Sequence, residues 1–322
     1  MPQTRLLAAD PPGLRAAAGI LRDGGLVALP TETVYGLAAD ACRDTAVAAI
    51  FAAKGRPRFN PLIVHLAELA QIDRFAVLTP LAQRLAKVFW PGPLTLVLPL
   101  RAGGGLSPLV TAGLPSVAIR LPAHPVARAL LAEFGGPVAA PSANPSGRIS
   151  PVTAAHVIAG LSGQIDAVID AGPCTVGLES TIVDATGTRP RLLRAGGVAI
   201  EDIAAVVGQP VAMAAAGAIT APSRITAPGQ LASHYAPRGR VRLEVTHPEP
   251  GEIWVGFGPC TGAALSLSET GNLTEAAARL FHVLHDADAK AGDTGTIAFA
   301  PVPDTGLGRA INDRLRRAAA PR

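Results

Sequence analysis

The chain has 322 residues, 49% of them apolar and 16% charged, with a formal net charge of +4. That length exceeds the usual single-domain range of roughly 100 to 200 residues and predicts two compact cores, while the apolar content excludes a disordered chain. No run of about 18 uncharged apolar residues occurs, and MPQTRLLAAD lacks the basic, apolar and small-residue regions of a signal peptide, so a soluble, cytoplasmic protein with no membrane partner is expected.

Helical and extended segments alternate from the start. Residues 12–23 carry Leu14, Ala18 and Leu21 on one helical face and stop at Gly24-Gly25, and LVALP (26–30) reads as a buried strand. A helix is expected near 44–54 before Gly55, a strand at 62–66, a helix near 80–89 before Pro91-Gly92-Pro93, and strands at 94–100 and 116–121. A helix at about 125–134, capped by Gly135-Gly136, leads to a short strand at 137–140 and the polar loop PSANPSGRIS. Ser150 reads as an N-cap with Pro151 at the first helical position. Strands at 167–170, 180–184 and 191–196 and a helix at 200–207 complete an α/β unit over residues 1–208. Periodicity fails over 209–240, rich in Ala, Pro, Gly and Ser, which predicts a linker. A smaller α/β unit is expected over 241–322, with strands at 241–245, 252–257 and 295–299, a helix at 272–289 and a last helix after Gly308.

Several motifs are missing: G-x-x-x-x-G-K-[ST], G-x-G-x-x-G after a strand, G-x-S-x-G and H-E-x-x-H. The three cysteines, Cys42, Cys174 and Cys260, fit neither a disulfide framework nor a C-x-x-C knuckle, so no tightly bound protein metal is expected. His282 and His285, three apart on a helix, read as a solvated face and receive no role. The basic residues are scattered, so RNA contact is compatible with the charge but indicated by no Lys/Arg run.

What the first unit does contain is polar clusters at strand ends, where the loops of an α/β sheet gather ligand-binding groups. PTETVYGL (30–37) follows a buried strand, and capping of a helix by Thr31 or Thr33 is its plain structural explanation. AKGRPRFNPLIVH (53–65) places Lys54, Arg56, Arg58 and Asn60 between a helix end and a strand, where cations also settle on helix carbonyls. The 28 basic residues comprise 25 Arg and only three Lys (Lys54, Lys87, Lys290), so a retained compact ammonium at 54 is notable, and a phosphate contact would explain it. His65, alone, reads as a core histidine. PSANPSGRIS (141–150) suits an anion or an ordinary Ser or Asx turn. GLESTIVD (177–184) and Arg194 of LLRAGG repeat the pattern, and five such clusters in one domain point to a binding cleft.

PTETVYGL, AKGRP followed by NPLIVH, PGPLTLVL, VAIRLPAHP, VAAPSANPSG, GLESTIVD and LLRAG occur in that order. They resemble the YrdC-like threonylcarbamoyl-AMP synthases over nearly all of residues 12–207. APGQLASHYAP (227–237) and GLGRAINDRLRRAA (306–319) resemble the linker and C-terminal domain of the long form. The resemblance implies an open, twisted YrdC-like α/β sheet with a cationic cavity, a linker, and a small Rossmann-like domain; the linker, whose His234 and Tyr235 rings could cover a bound adenylate, is expected to act as a lid. It also implies synthesis of threonylcarbamoyl-AMP and pyrophosphate from L-threonine, bicarbonate and ATP, for threonylcarbamoyladenosine modification of tRNA. By motif, Thr33, His65, Arg120, Ala140 and Ser180 match threonine-binding positions. Lys54, Arg56, Asn60, Ser116, Ser142, Asn144, Ser150 and Arg194 match ATP-binding ones, with His234 or Tyr235 supplied by the linker. Mg²⁺ is expected with ATP, no protein nucleophile is assigned, and downstream tRNA threonylcarbamoyl-transfer proteins are the implied partners. One departure is that Leu231, Ala232 and Ser233 stand where family members often carry basic and aromatic residues. Two rival readings are the related carbamoyltransferase domain of hydrogenase maturation, whose zinc cysteines and acylphosphatase module are missing here, and a noncatalytic RNA-binding module, which would show salt-sensitive RNA affinity.

Overall fold

The computed structural model describes residues 3–57, 59–213 and 233–321. In chain order, eleven strands build one large sheet: β1 (Arg5–Ala8), β2 (Val27–Leu29), β3 (Gly36–Asp40), β4 (Ile63–His65), β5 (Leu94–Pro99), β6 (Ser116–Arg120), β7 (Val138–Ala139), β8 (Ala167–Asp170), β9 (Thr181–Asp184), β10 (Arg191–Arg194) and β11 (Ala212–Met213). Their order across the sheet is β1-β8-β2-β3-β7-β4-β6-β5-β9-β10-β11, with parallel and antiparallel neighbours mixed. The helices of this unit are α1 (Pro11–Arg22), α2 (Asp44–Lys54), α3 (Ile72–Phe75), α4 (Pro80–Phe89), α5 (Pro108–Thr111), α6 (Pro125–Phe134), α7 (Ala154–Leu161) and α8 (Ile200–Val207). A second, all-parallel sheet contains β12 (Arg240–Arg242), β13 (Ile253–Gly256), β14 (Leu265–Ser266) and β15 (Thr296–Phe299) in the order β12-β15-β13-β14, packed with α9 (Leu273–Ala291) and α10 (Gly308–Ala319).

Local chemistry explains the element ends. Asp10 accepts from Gly13 N ahead of α1, and Thr79 accepts from Ala82 N ahead of α4, each followed by proline in the first turn. Gly55 ends α2 in the left-handed conformation at φ 60°. Strand alternation then decides the faces. Leu94, Leu96, Leu98, Val117 and Ile119 join the main core. On the opposite face, α1 and α6 cover the β1-to-β7 half of the sheet, and Ile63, Val97, Ala118 and Ile182 form a small separate apolar patch beyond them. That second face carries the site.

Three expectations change. Ser150 caps no helix: α7 starts at Ala154 with Thr153 as its N-cap, and the Ser150 hydroxyl donates to Glu179 instead. Thr31 and Thr33 precede strand β3, not a helix, because the small residues Gly36–Asp40 are held between β2 and β7 by antiparallel pairing. The large sheet also reaches into the stretch read as irregular, since β11 pairs with β10. Residues 214–232 of that stretch lie outside the described residues. Among the described residues, no helix is long and apolar enough to cross a membrane.

The two units share a seam. Apolar packing is continuous from Leu178 through Tyr235 to Leu280 and Phe281 of α9. Gly177 makes the close approach possible: it sits at φ 70°, and a Cβ there would lie 2.4 and 2.5 Å from the carbonyl oxygens of Ala278 and Ala277. Ala236 N donates to Gly147 O at 2.9 Å, and the His285 ring lies 3.2 Å from Ser150 O while stacking on His156 at 3.8 Å between centroids. His156 is held neutral, because burial and then its neighbours His285 and His282 push its pKa from 6.5 to about 3.

Gly177→Ala is expected to lower the melting temperature by at least a few degrees, since backbone carbonyls cannot give way and the left-handed conformation disfavours a Cβ. Gly187→Ala, with nothing within 4 Å of the added carbon, should melt like the parent. Unfolding against pH offers a second check. His156 binds its proton more readily unfolded, so its contribution to stability is complete above 6.5 and is lost as pH falls from 6.5 toward about 3. His156→Gln should flatten that decline in a pH series of melting curves.

Candidate active site

A cavity, open at its mouth, lies on the second face of the large sheet. Its floor comes from β4 and β6, which run parallel with Ile63 beside Ala118 and His65 beside Arg120. One wall is the turn after β2 with Thr31 and Thr33, the next is Ala140, Pro141 and Ser142 after β7, and a third is Glu179, Ser180 and Arg194 from β9 and β10. His234 and Tyr235 close the fourth side.

Hydrogen-bond direction is fixed around Arg120. Its Nη1 donates to Thr33 Oγ1 at 2.7 Å and its Nε to Gly92 O at 3.2 Å, while Nη2 lies 2.7 Å from Glu32 Oε1. Thr31 donates to Val34 O, so Thr33 is the donor in the 2.7 Å contact between the two threonine hydroxyls. Arg120 is therefore partly occupied: two of its five N–H donors make hydrogen bonds, and Nη2 faces the Glu32 carboxylate as an ion pair. Burial pushes the Glu32 carboxyl up, but Arg120 more than reverses this and holds it below its ordinary value.

His65 is neutral. Burial and then Arg120 lower its pKa to about 3, and because Nδ1 faces the Ile63 carbonyl at 3.3 Å, that nitrogen carries the hydrogen and Nε2 is left as an acceptor. On the far side, Arg194 donates through Nε and Nη2 to Ser180 O at 3.1 and 2.9 Å, and through Nη2 to Ser180 Oγ at 3.2 Å. Arg56 donates through Nη2 to Pro61 O at 3.0 Å; burial and then Arg194 lower its pKa to about 10, so it stays charged at neutral pH.

Tyr235 adopts φ 61°, a conformation that costs a non-glycine residue roughly 1 to 2 kcal/mol. Packing holds it there, with the ring 4.1 Å from His234 and 5.4 Å from Phe281 between centroids. His234 is buried, is pushed well below its ordinary pKa by burial and then Arg56, and keeps Nδ1 without a hydrogen-bond partner.

Ten of the fifteen expected site residues meet at this cavity: Thr33, His65, Arg120, Ala140, Ser180, Arg56, Ser142, Arg194, His234 and Tyr235. Lys54, Asn60, Ser116, Asn144 and Ser150 do not line it. The Lys54 ammonium is buried and donates to the carbonyls of Ser142 and Asn144, so the lysine singled out for a phosphate ties down the 142–144 loop in this structure. Asn144 braces the same loop, donating to Pro145 O at 2.8 Å and Arg148 O at 2.9 Å. Asn60 is buried with Oδ1 unpaired, and Ser116 is half-buried where β6 begins. Of the departure noted before His234, Leu231 and Ala232 lie outside the described residues. The sequence reading gave no role to Glu32 or Glu179. Both stand inside the recognised motifs, and a carboxylate flanked by hydroxyl residues in an apolar context was the available signal.

Two family models together account for nearly the whole chain. The Sua5/YciO/YrdC family, described as telomere recombination, matches residues 19–196, and the threonylcarbamoyl-AMP synthase C-terminal domain matches residues 198–320. The threonylcarbamoyl-AMP synthase of Bacillus subtilis (strain 168) is 41% identical, covering 98% of this chain and 95% of that protein. The Pyrococcus abyssi threonylcarbamoyl-AMP synthase is also 41% identical, over 95% of this chain and 94% of its own. The crystal structure of P. abyssi Sua5 complexed with L-threonine superposes with a TM-score of 0.87 at 38% identity, covering 98% of both chains. The chain therefore belongs to the threonylcarbamoyl-AMP synthase family, with a YrdC-like unit followed by the family's C-terminal domain.

Proposed function

We propose that the cavity converts L-threonine, bicarbonate and ATP to threonylcarbamoyl-AMP and pyrophosphate, a nucleotidyl transfer that feeds threonylcarbamoyladenosine modification of tRNA by downstream transfer proteins. The observation that carries this reading is one cavity with a neutral imidazole acceptor on its floor and two charged guanidinium groups on the opposite wall.

The amine of threonine condenses with bicarbonate to a carbamate with loss of water. A carbamate oxygen then attacks the α-phosphorus of ATP, and the bond to the bridging oxygen breaks to release pyrophosphate. Every reactant is anionic or becomes so, and the protein contributes mainly charge and orientation. Threonine is assigned to Thr33, His65, Arg120, Ala140 and Ser180. The His65 Nε2 accepts from the amino group, and the remaining Arg120 N–H groups meet the carboxylate. Arg56, Ser142 and Arg194 are assigned to the phosphates, and His234 and Tyr235 to the cover over the adenylate, where exclusion of water protects a hydrolysable product. Mg²⁺ accompanies ATP as part of that substrate. Lys54, Asn144 and Ser150 serve ATP indirectly, through the shape of the loop and wall behind it.

Pyrophosphate release should require threonine, bicarbonate and Mg²⁺ together, falling at least about tenfold when any one is omitted. Full-rate release without bicarbonate would refute the reaction. Lys54→Ala should lower both turnover, by about tenfold or more, and melting temperature, because two carbonyls lose their donor at roughly 1 to 3 kcal/mol each. Lys54→Arg should not restore either, since a planar fork does not fit a buried two-carbonyl socket. Lys87→Ala and Lys290→Ala, at exposed positions, should match the parent in both assays; equal effects at all three lysines would show that the Lys54 socket does not matter.

A further inference from the structure

Among the described residues, the most deeply buried charge that the reaction does not use lies in the small unit. Arg314 is 0% exposed and sits on the apolar face of α10 with Ile311, Leu315 and Ala318. A cation so placed is strongly disfavoured unless its hydrogens are satisfied. Two of its partners are on the other unit, and Nη2 is left without a hydrogen-bond partner. Nε donates to Glu179 Oε2 at 3.0 Å, and Nη1 donates to Ala195 O at 2.6 Å, next to Arg194 in the chain; Nη1 also meets the adjacent Asp313 at 3.0 Å. The guanidinium carbon lies 5.5 Å from the centre of the Tyr235 ring.

Glu179 therefore stands between two arginines. It lines the cavity with Arg194, and although burial pushes its carboxyl up, Arg314 and then Arg194 more than reverse this and hold it below its ordinary value. Its other oxygen accepts the Ser150 hydroxyl at 2.6 Å. A carboxylate beside the wall assigned to phosphates repels a polyphosphate and competes with it for Arg194, unless a second cation fixes it and balances its charge.

We propose that Arg314 is a positioning residue of the cavity: reaching across the seam from the small unit, it holds the Glu179 carboxylate off the cationic wall and so keeps the charge of Arg194 directed at an incoming polyphosphate. This rests on the reading of the cavity as an ATP site. It also gives the small unit a role in the reaction, since the cavity has its full electrostatic form only when α10 is docked.

The test measures ATP binding by calorimetry on the full chain, alongside KM for ATP and for threonine. Arg314→Met should weaken ATP binding about tenfold or more and raise KM for ATP far more than KM for threonine, because the released Glu179 turns to Arg194. Adding Glu179→Gln should recover most of that loss, as a neutral amide neither repels phosphate nor cancels an arginine. A merely structural role would leave the double variant at least as impaired as the single one. Arg314→Lys keeps the charge but loses the fork, and should fall between the parent and Arg314→Met, which serves if the methionine variant does not fold. Unchanged ATP affinity in Arg314→Met or Arg314→Lys, or no recovery on adding Glu179→Gln, overturns the proposal. Wild-type ATP binding without bicarbonate-dependent pyrophosphate release would refute the reaction and leave this coupling to be read from the calorimetry, whereas no wild-type ATP binding overturns both.

Discussion

Among the described residues, five cations are buried at or beside one cavity, Lys54, Arg56, Arg120, Arg194 and Arg314, against two buried carboxylates, Glu32 and Glu179. Taking such charges out of water is expensive, and two anions cannot balance five cations. Backbone carbonyls make up the difference. Lys54 is held by the carbonyls of Ser142 and Asn144, Arg56 by that of Pro61, Arg120 by that of Gly92, Arg194 by that of Ser180 and Arg314 by that of Ala195. Each carbonyl supplies hydrogen bonding without cancelling a full charge. The wall thus keeps a positive excess for which an anionic ligand is the natural complement, in a site whose donors are already oriented.

The same constraint explains why loops dominate the site although the sheet carries it. Carbonyls inside regular strands are spent on the ladder; those of Ser142, Asn144 and Pro61 lie outside the strands and can turn toward a cation. Proline-rich segments supply such carbonyls readily, because a proline removes an N–H from its neighbourhood while keeping its C=O. Two carboxylates then complete the arrangement in different ways. Glu32 pairs with Arg120 inside one unit at 2.7 Å, whereas Glu179 takes its partner from the other unit, 135 residues further along the chain.

That separation marks the limit of what was legible in the sequence. Elements governed by local rules were readable: α2 ends at Lys54 because Gly55 supplies the left-handed cap, α6 spans Pro125–Phe134 between a proline start and Gly135, and β5 shows as an alternating apolar run. Strand β3 was not, since Gly36–Asp40 has no strand-forming side chains and owes its conformation to β2 and β7 on either side. The site divides in the same way. Ordered motifs identified ten residues that meet in space, but not that Lys54 would be tied to two carbonyls near 143, because those partners are invisible from position 54. Nor did the arginine at 314 differ, as a letter, from the exposed Arg316 beside it. Its burial is a property of how α10 docks.

An enclosure of donors alone cannot serve a reaction that begins with an amine. The amino group of threonine must be bound through its hydrogens and, to attack bicarbonate, must give up its positive charge, so the proposed site needs an acceptor that is not itself an anion drawn to the arginines. A histidine kept neutral meets that need. At His65, burial and the neighbouring Arg120 suppress protonation, the Ile63 carbonyl fixes the hydrogen on Nδ1, and Nε2 remains as a lone-pair donor on the cavity floor. The two halves of the proposed site thus have separate causes: burial first and the neighbouring Arg120 second keep the imidazole that would hold the amine unprotonated, while Arg56 and Arg194 supply the cationic wall that would hold the polyphosphate.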